Sequence, residues 1–301
     1  MLFQSFTVSK DGTSDFTCIQ DAIDHVRVHP LEPVTIFIKN GNYQEKLIIP
    51  DNKHNVKLVG ESREGTIISF HESARMKDST GKSLGTFRTP VVTALADCIQ
   101  MESLTIHNTA GYGEDVGQAL ALYVAGDRSI FKNVSLLGNQ DTLYTSRGRQ
   151  LFQQCYIEGH VDFIFGAAST IFDQCEIHSL RKGYITAAST PEDQSFGYIF
   201  LDCRLTGAAD IESVYLGRPW RPYAHTFFVR TWMGEHIKKD GWDNWRDEAN
   251  EKTARYGEYD SYGPGALVER RVRWAKQLTR DEAESLTVEK LFPDLANWYF
   301  L

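Results

Sequence analysis

A block of similar residues recurs through the middle of the chain: FKNVSLLG from Phe131, FQQCYIEG from Phe152, FDQCEIHS from Phe172 and FLDCRLTG from Phe200. The starts lie 21, 20 and 28 residues apart, and FVRTWMGE from Phe228 adds a further interval of 28. MESLTIHN at Met101 is a weaker earlier copy, and HNVKLVGE at His54 resembles a strand earlier still. Repeats of roughly 20 to 30 residues point to a solenoid, in which no unit buries its apolar face alone and each must stack on its neighbours. Within each unit, short runs of Val, Ile, Leu and Phe are broken by Gly, Asn and Asp, the pattern of strands and turns rather than of helices. Leucine-rich repeats would show L-x-x-L-x-L, and propeller blades would run to about 40 residues. Neither pattern occurs, so the expected fold is all-β, a parallel β-helix whose longer intervals leave the wall as loops and build a cleft. A jelly roll or sandwich is the alternative, because short β runs alone do not specify parallel coiling.

Length by itself, 301 residues, suggests two domains. A solenoid grows by adding coils, however, so residues 1–301 are expected to form a single domain with short helical covers at its ends. Near the N-terminus, Cys18, Ile19, Ala22, Ile23 and Val26 follow helical spacing after a potential cap at Ser14 or Asp15. Near the C-terminus, Thr279 and Glu282 have capping-box spacing. The polar and aromatic segment from Gly241 to Gly265 lacks periodicity and reads as a long surface excursion.

The net charge of -8 argues against a nucleic-acid or anionic-membrane partner, although a local basic patch still permits an acidic substrate. No run approaches the 18 or so apolar residues of a membrane span. No secretory leader is legible at the start, which leaves either a cytoplasmic protein or a chain shown without its leader. Cys18, Cys98, Cys155, Cys175 and Cys203 show no C-x-x-C spacing and read as buried thiols, with one disulfide still open.

Gln118, Gln140 and Asp162 are spaced by 22 and 22 residues, close to one coil. Equivalent positions on successive coils lie about 4.8 Å apart, so these three side chains are expected to form an outward ladder with Asp141 at its edge. Turn and ladder duties alone would account for Gln and Asp there. The company of Tyr144, Phe163, Phe165, Arg218 and Trp220 points further: an Arg can orient a carboxylate through paired hydrogen bonds, and aromatic faces can stack on sugar rings.

The segments GNYQEKL, GQALAL, NQDTLY, HVDFIFGAA and YLGRPW, in order from Gly41 to Trp220, resemble the signature blocks of the pectin methylesterases. The resemblance implies a right-handed parallel β-helix that removes methyl groups from esterified homogalacturonan. Carried over by motif, it implies Asp162 as nucleophile, Asp141 as acid and later base, Gln118 and Gln140 as oxyanion stabilisers, and Arg218 as the group orienting Asp162. Trp220 matches the family's stacking residue, Tyr144 and Phe165 lie at the implied subsites, and Phe87 and Trp242 are weaker matches. His160 and Ala167 stand where many relatives carry Thr and Asn. The resemblance inclines toward an extracellular or periplasmic setting and a monomer acting on pectin.

The chain has no G-x-S-x-G elbow, H-E-x-x-H zinc motif or G-x-x-x-x-G-K-[ST] phosphate loop, and its nine His residues are scattered. No metal and no organic cofactor are therefore expected. Two rivals share the expected fold: a β-helical pectate lyase or polygalacturonase, and a carbohydrate-binding solenoid without catalysis.

Overall fold

The computed structural model describes residues 4–298. Every strand-to-strand pairing between its named strands is parallel, in one sheet of eleven strands and one of thirteen. Successive coils supply neighbouring strands, which is the construction of a parallel β-helix. In the eleven-stranded sheet the repeat register is direct. Leu58 pairs with Met101, Met101 with Phe131, and then Phe131, Phe152, Phe172, Phe200 and Phe228 follow one another. The five Phe rings form an inward column with centroid separations of 4.4, 5.1, 4.5 and 4.4 Å. Burying each ring contributes up to about 3 kcal/mol, and each offset stack adds about 1 kcal/mol. Three residues further along each repeat, Cys155, Cys175 and Cys203 form a buried thiol column, and all five cysteines are free.

The opposite face of the same wall carries Ile130, Leu151, Ile171, Ile199, Leu201 and Val229, which would be exposed on a bare solenoid. The C-terminal segment covers it with Leu278, Ala283, Leu286, Val288, Phe292 and Trp298. Its first helix, Arg280–Ser285, has the expected capping box between Thr279 and Glu282. The N-terminal helix, Ile19–His25, differs from expectation. Cys18 is its N-cap residue, and neither Ser14 nor Asp15 caps it. Asp15 is instead committed to the N–H and hydroxyl of Thr7, and the Glu45 carboxylate, from a distant turn, accepts the N–H groups of Ile19 and Gln20.

The segment after Gly241 is also not purely a surface excursion. It contains the strand Arg255–Tyr259, which joins the eleven-stranded sheet beside His225–Val229. Glu258 looks like a surface residue in sequence but is buried against Arg271, with Arg271 Nε 2.7 Å from its carboxylate. That pairing hides a core strand behind polar letters.

The strands Tyr156–Gly166 and Glu176–Ala188 are unusually long because each turns a corner between two walls. Their pairing slips on both sides of Val161. Irregularities of this kind re-aim side chains, and this one lies at the residues that form the site.

Candidate active site

Asp141 and Asp162 occupy equivalent corners of consecutive coils. The Asp141 N–H donates to the Val161 carbonyl at 3.1 Å, and two residues later Leu143 pairs with Ile164. Both aspartates have left-handed backbone, φ 64° and 51°, a conformation that a short polar side chain tolerates better than a branched one. The Ala119 N–H donates to the Gln140 carbonyl at 3.1 Å, which sets Gln118 beside Gln140. The expected single ladder is thus two rows: Gln118, Gln140 and Val161 in one, Asp141 and Asp162 in the next. A 22-residue spacing misplaces Asp162 by one position because the coil between these two turns is 21 residues long.

Asp141 and Asp162 are each 8 % exposed. Arg218 Nε and Nη2 donate to the two oxygens of Asp162 at 2.8 and 2.6 Å. The guanidinium is held flat between the rings of Tyr184 and Trp245, 3.9 and 3.8 Å from their centroids. Burial would push the Arg218 pKa down, but Asp162 more than reverses this and raises it. Burial, followed by the charge of Asp162, holds the Asp141 carboxyl well above the usual carboxylate range, with Arg218 opposing. Burial also raises Asp162, against the hydrogen bonds and charge of Arg218, while Asp243 adds to the rise. Only Asp162 is hydrogen-bonded to the cation, so the ionised form is favoured at Asp162 over Asp141. The pair is suited to one nucleophile and one acid.

Gln118 and Gln140 are half-buried, and neither side-chain amide is engaged by a hydrogen bond with another described residue. On the other side of the carboxylates, Tyr123, Tyr144 and Phe165 follow one another in register, Tyr123 tilted against Tyr144 at 4.9 Å and Tyr144 stacked on Phe165 at 4.7 Å. Trp220 meets Phe165 edge-on at 5.7 Å, and Phe87, half exposed in the short 3-10 helix Thr86–Arg88, lies 5.0 Å from Tyr144. Phe165 itself is nearly covered and forms the floor of this wall.

Trp242 does not belong to the wall. It is 1 % exposed, stacks on Tyr256 at 4.3 Å and packs against Phe228, so it is a core residue with no face for a ligand. Trp245, three residues later, supplies the aromatic contact at the site. Tyr184, like Tyr123, is a site residue that motif reading missed. It pairs with Val161, which places it in the row of Gln118 and Gln140. Two glycines of the signature blocks are fixed by close approach: a Cβ on Gly166 would lie 2.0 Å from the Thr145 carbonyl oxygen, and one on Gly217 would lie 2.1 Å from Thr186 Oγ1.

The pectinesterase family profile matches residues 5–294. Pectinesterase 31 of Arabidopsis thaliana is 38 % identical over 281 residues, which are 92 % of this chain and 88 % of that protein. The pectin methylesterase from carrot superposes with a TM-score of 0.91 at 31 % identity, covering 99 % of this chain and 95 % of its own. A pectin methylesterase crystallised with a hexasaccharide has a TM-score of 0.86 at 35 % identity, with 98 % of each chain covered. The agreement of sequence, coil register and overall structure shows that the chain belongs to the pectinesterase family of carboxylic-ester hydrolases.

Proposed function

We propose that the protein hydrolyses the C6 methyl esters of homogalacturonan, releasing methanol and leaving galacturonate units in an unbroken polymer. The observation that carries this reading is the two-point hold of Arg218 on Asp162 beside the buried, proton-retaining Asp141. The hexasaccharide bound by the related esterase supports an extended sugar ligand.

In the first half-reaction an ionised Asp162 oxygen attacks the ester carbonyl carbon. The carbonyl oxygen becomes an oxyanion and receives hydrogen bonds from the amides of Gln118 and Gln140. Donors aimed at a developing charge are worth roughly 3–4 kcal/mol each. Collapse breaks the bond to the methoxy oxygen, Asp141 gives that oxygen its proton, and methanol leaves an anhydride on Asp162. In the second half-reaction Asp141, now ionised, takes a proton from water as the water attacks the sugar acyl carbon. The Asp162 carboxylate departs and Asp141 regains its proton. The Tyr123, Tyr144, Phe165 and Trp220 wall holds the sugar rings. No step requires a metal or an organic cofactor. The chain acts as one catalytic domain and as a monomer, with pectin rather than nucleic acid or a membrane as its partner; among the described residues no helix is long and apolar enough to cross a membrane.

The deciding experiment measures methanol released from methyl-esterified pectin by the purified protein while polymer length is followed by size-exclusion chromatography. Methanol with unchanged length is expected. Shortened polymer or unsaturated ends would indicate a glycosidase or a lyase, and binding without release would indicate a carbohydrate-binding solenoid.

A further inference from the structure

Arg218 has a second acidic neighbour. Gly217 forms a parallel bridge with Trp242, and the Asp243 N–H donates to the Gly217 carbonyl at 3.1 Å, which sets Asp243 beside Arg218 on the next coil. Equivalent positions on adjacent coils lie about 4.8 Å apart. Asp162 holds the guanidinium through two hydrogen bonds, whereas Asp243 acts on it through charge alone. The Asp243 charge also reaches Asp162 itself. Asp141, from the preceding coil, is the other acidic group beside the nucleophile, and the phenols of Tyr184 and of buried Tyr256 feel both Asp162 and Asp243.

The Asp243 side chain is committed to its own loop. Its Oδ1 accepts the Trp245 N–H at 2.8 Å, and Asn244 Oδ1 accepts the Arg246 N–H at 2.9 Å, so two Asx turns interlock. They hold Trp245 and Arg246 in left-handed backbone, φ 59° and 60°, which large side chains adopt only where their surroundings enforce it. Asn250 Nδ2 donates to the Asn244 carbonyl at 3.0 Å, and Asn244 Nδ2 donates to Glu251 at 2.8 Å, tying the loop further. The strained turn delivers the Trp245 ring to the guanidinium, 3.8 Å from the ring centroid. One aspartate therefore shapes both the packing and the electrostatic surroundings of Arg218.

We infer that Asp243 is a positioning residue for the nucleophile: its Asx turn seats Trp245 against Arg218, and its carboxylate shares the field of that cation with Asp162. The inference rests on the esterase reading above. A carboxylate whose charge is wholly met by one arginine is ionised but a poor nucleophile, and an enzyme needs the pKa of its nucleophile matched to its task. A second anion beside the same cation offsets part of the attraction and leaves the fork between Arg218 and Asp162 intact.

The test compares wild type, D243N and D243A, with folding checked by melting temperature. D243N removes the charge and keeps an oxygen acceptor for the Trp245 N–H, whereas D243A removes both. Without the charge the ionised form of Asp162 is favoured further, so the acid limb of the D243N pH–rate profile is expected at lower pH than in wild type. Carboxyl-carbon NMR of protein carrying isotopically labelled aspartate follows Asp162 without turnover, its signal identified by its loss in D162N, and should show the same downward shift. D243A is expected to lower kcat by about tenfold, because Trp245 no longer fixes the guanidinium plane, and D243N should recover most of that loss. An Asp162 titration unchanged in D243N, a D243A kcat equal to that of wild type, or equal kcat losses in the two variants would overturn the inference. Should D243A fail to fold, the D243N titration decides by itself. A downward NMR shift in D243N with no methanol release from wild type would leave the positioning of Asp162 standing and remove the esterase reading instead.

Discussion

Arg218 grips Asp162 through two parallel hydrogen bonds while its own plane is clamped between Tyr184 and Trp245. A lysine at this place would keep the charge but lose both the fork and the planar stacking. R218K is expected to lower kcat by about 10- to 100-fold and to move the acid limb of the pH–rate profile upward, because burial of Asp162 is then less well opposed. A profile identical to wild type would show that the fork does not set the protonation state of the nucleophile.

The raised Asp141 pKa has a definite sign for stability. The folded protein retains a proton that the unfolded chain loses near pH 3.9, so wild-type stability falls as pH rises from about there through the folded pKa. D141N keeps an uncharged side chain throughout. Its stability advantage over wild type should be small at about pH 4 and grow toward about pH 7, as read from urea midpoints, while methanol release is lost. An advantage independent of pH would contradict the burial of an ionisable pair.

Gln118 and Gln140 lie in one row with uncommitted amides, the arrangement needed for an oxyanion that exists only during the reaction. Q118A is expected to reduce kcat by roughly 100- to 1000-fold with KM little changed, and Q140A should behave similarly. Steady-state rates showing the loss in KM alone would move these residues from oxyanion stabilisation to ground-state binding.

Trp220 and Trp242 look alike in sequence and should respond differently. W220A is expected to raise KM for pectin with little change in melting temperature, since its ring belongs to the wall over Phe165. W242A opens a cavity between Phe228 and Tyr256 and should cost about 3–5 kcal/mol of stability by chemical denaturation. Loss of stability in W220A and of substrate affinity in W242A would reverse the assignment.

Much of the solenoid was readable beforehand because its register is written as a period: Phe131, Phe152, Phe172, Phe200 and Phe228 stack as their spacing implied. The capping box at Thr279 is a local device and was equally legible. The N-terminal cap was not, because Glu45 reaches it from another turn and Asp15 is occupied elsewhere. The strand Arg255–Tyr259 escaped for a related reason: Glu258 is acceptable in the interior only because Arg271, 13 residues away, meets it there.

Sequence alone therefore determined the repeat, the inward aromatic column and the identity of the five polar groups that the candidate site brings together, since motif and period are properties of residue order. Tertiary structure decided which of them share a row, that Arg218 grips Asp162 and not Asp141, and that Trp245 rather than Trp242 faces the site. Those outcomes depend on a one-residue slip at a corner, on two-point contact with one cation, and on which ring the neighbouring coil covers. Each is a relation between distant segments that only exists once the coils are stacked.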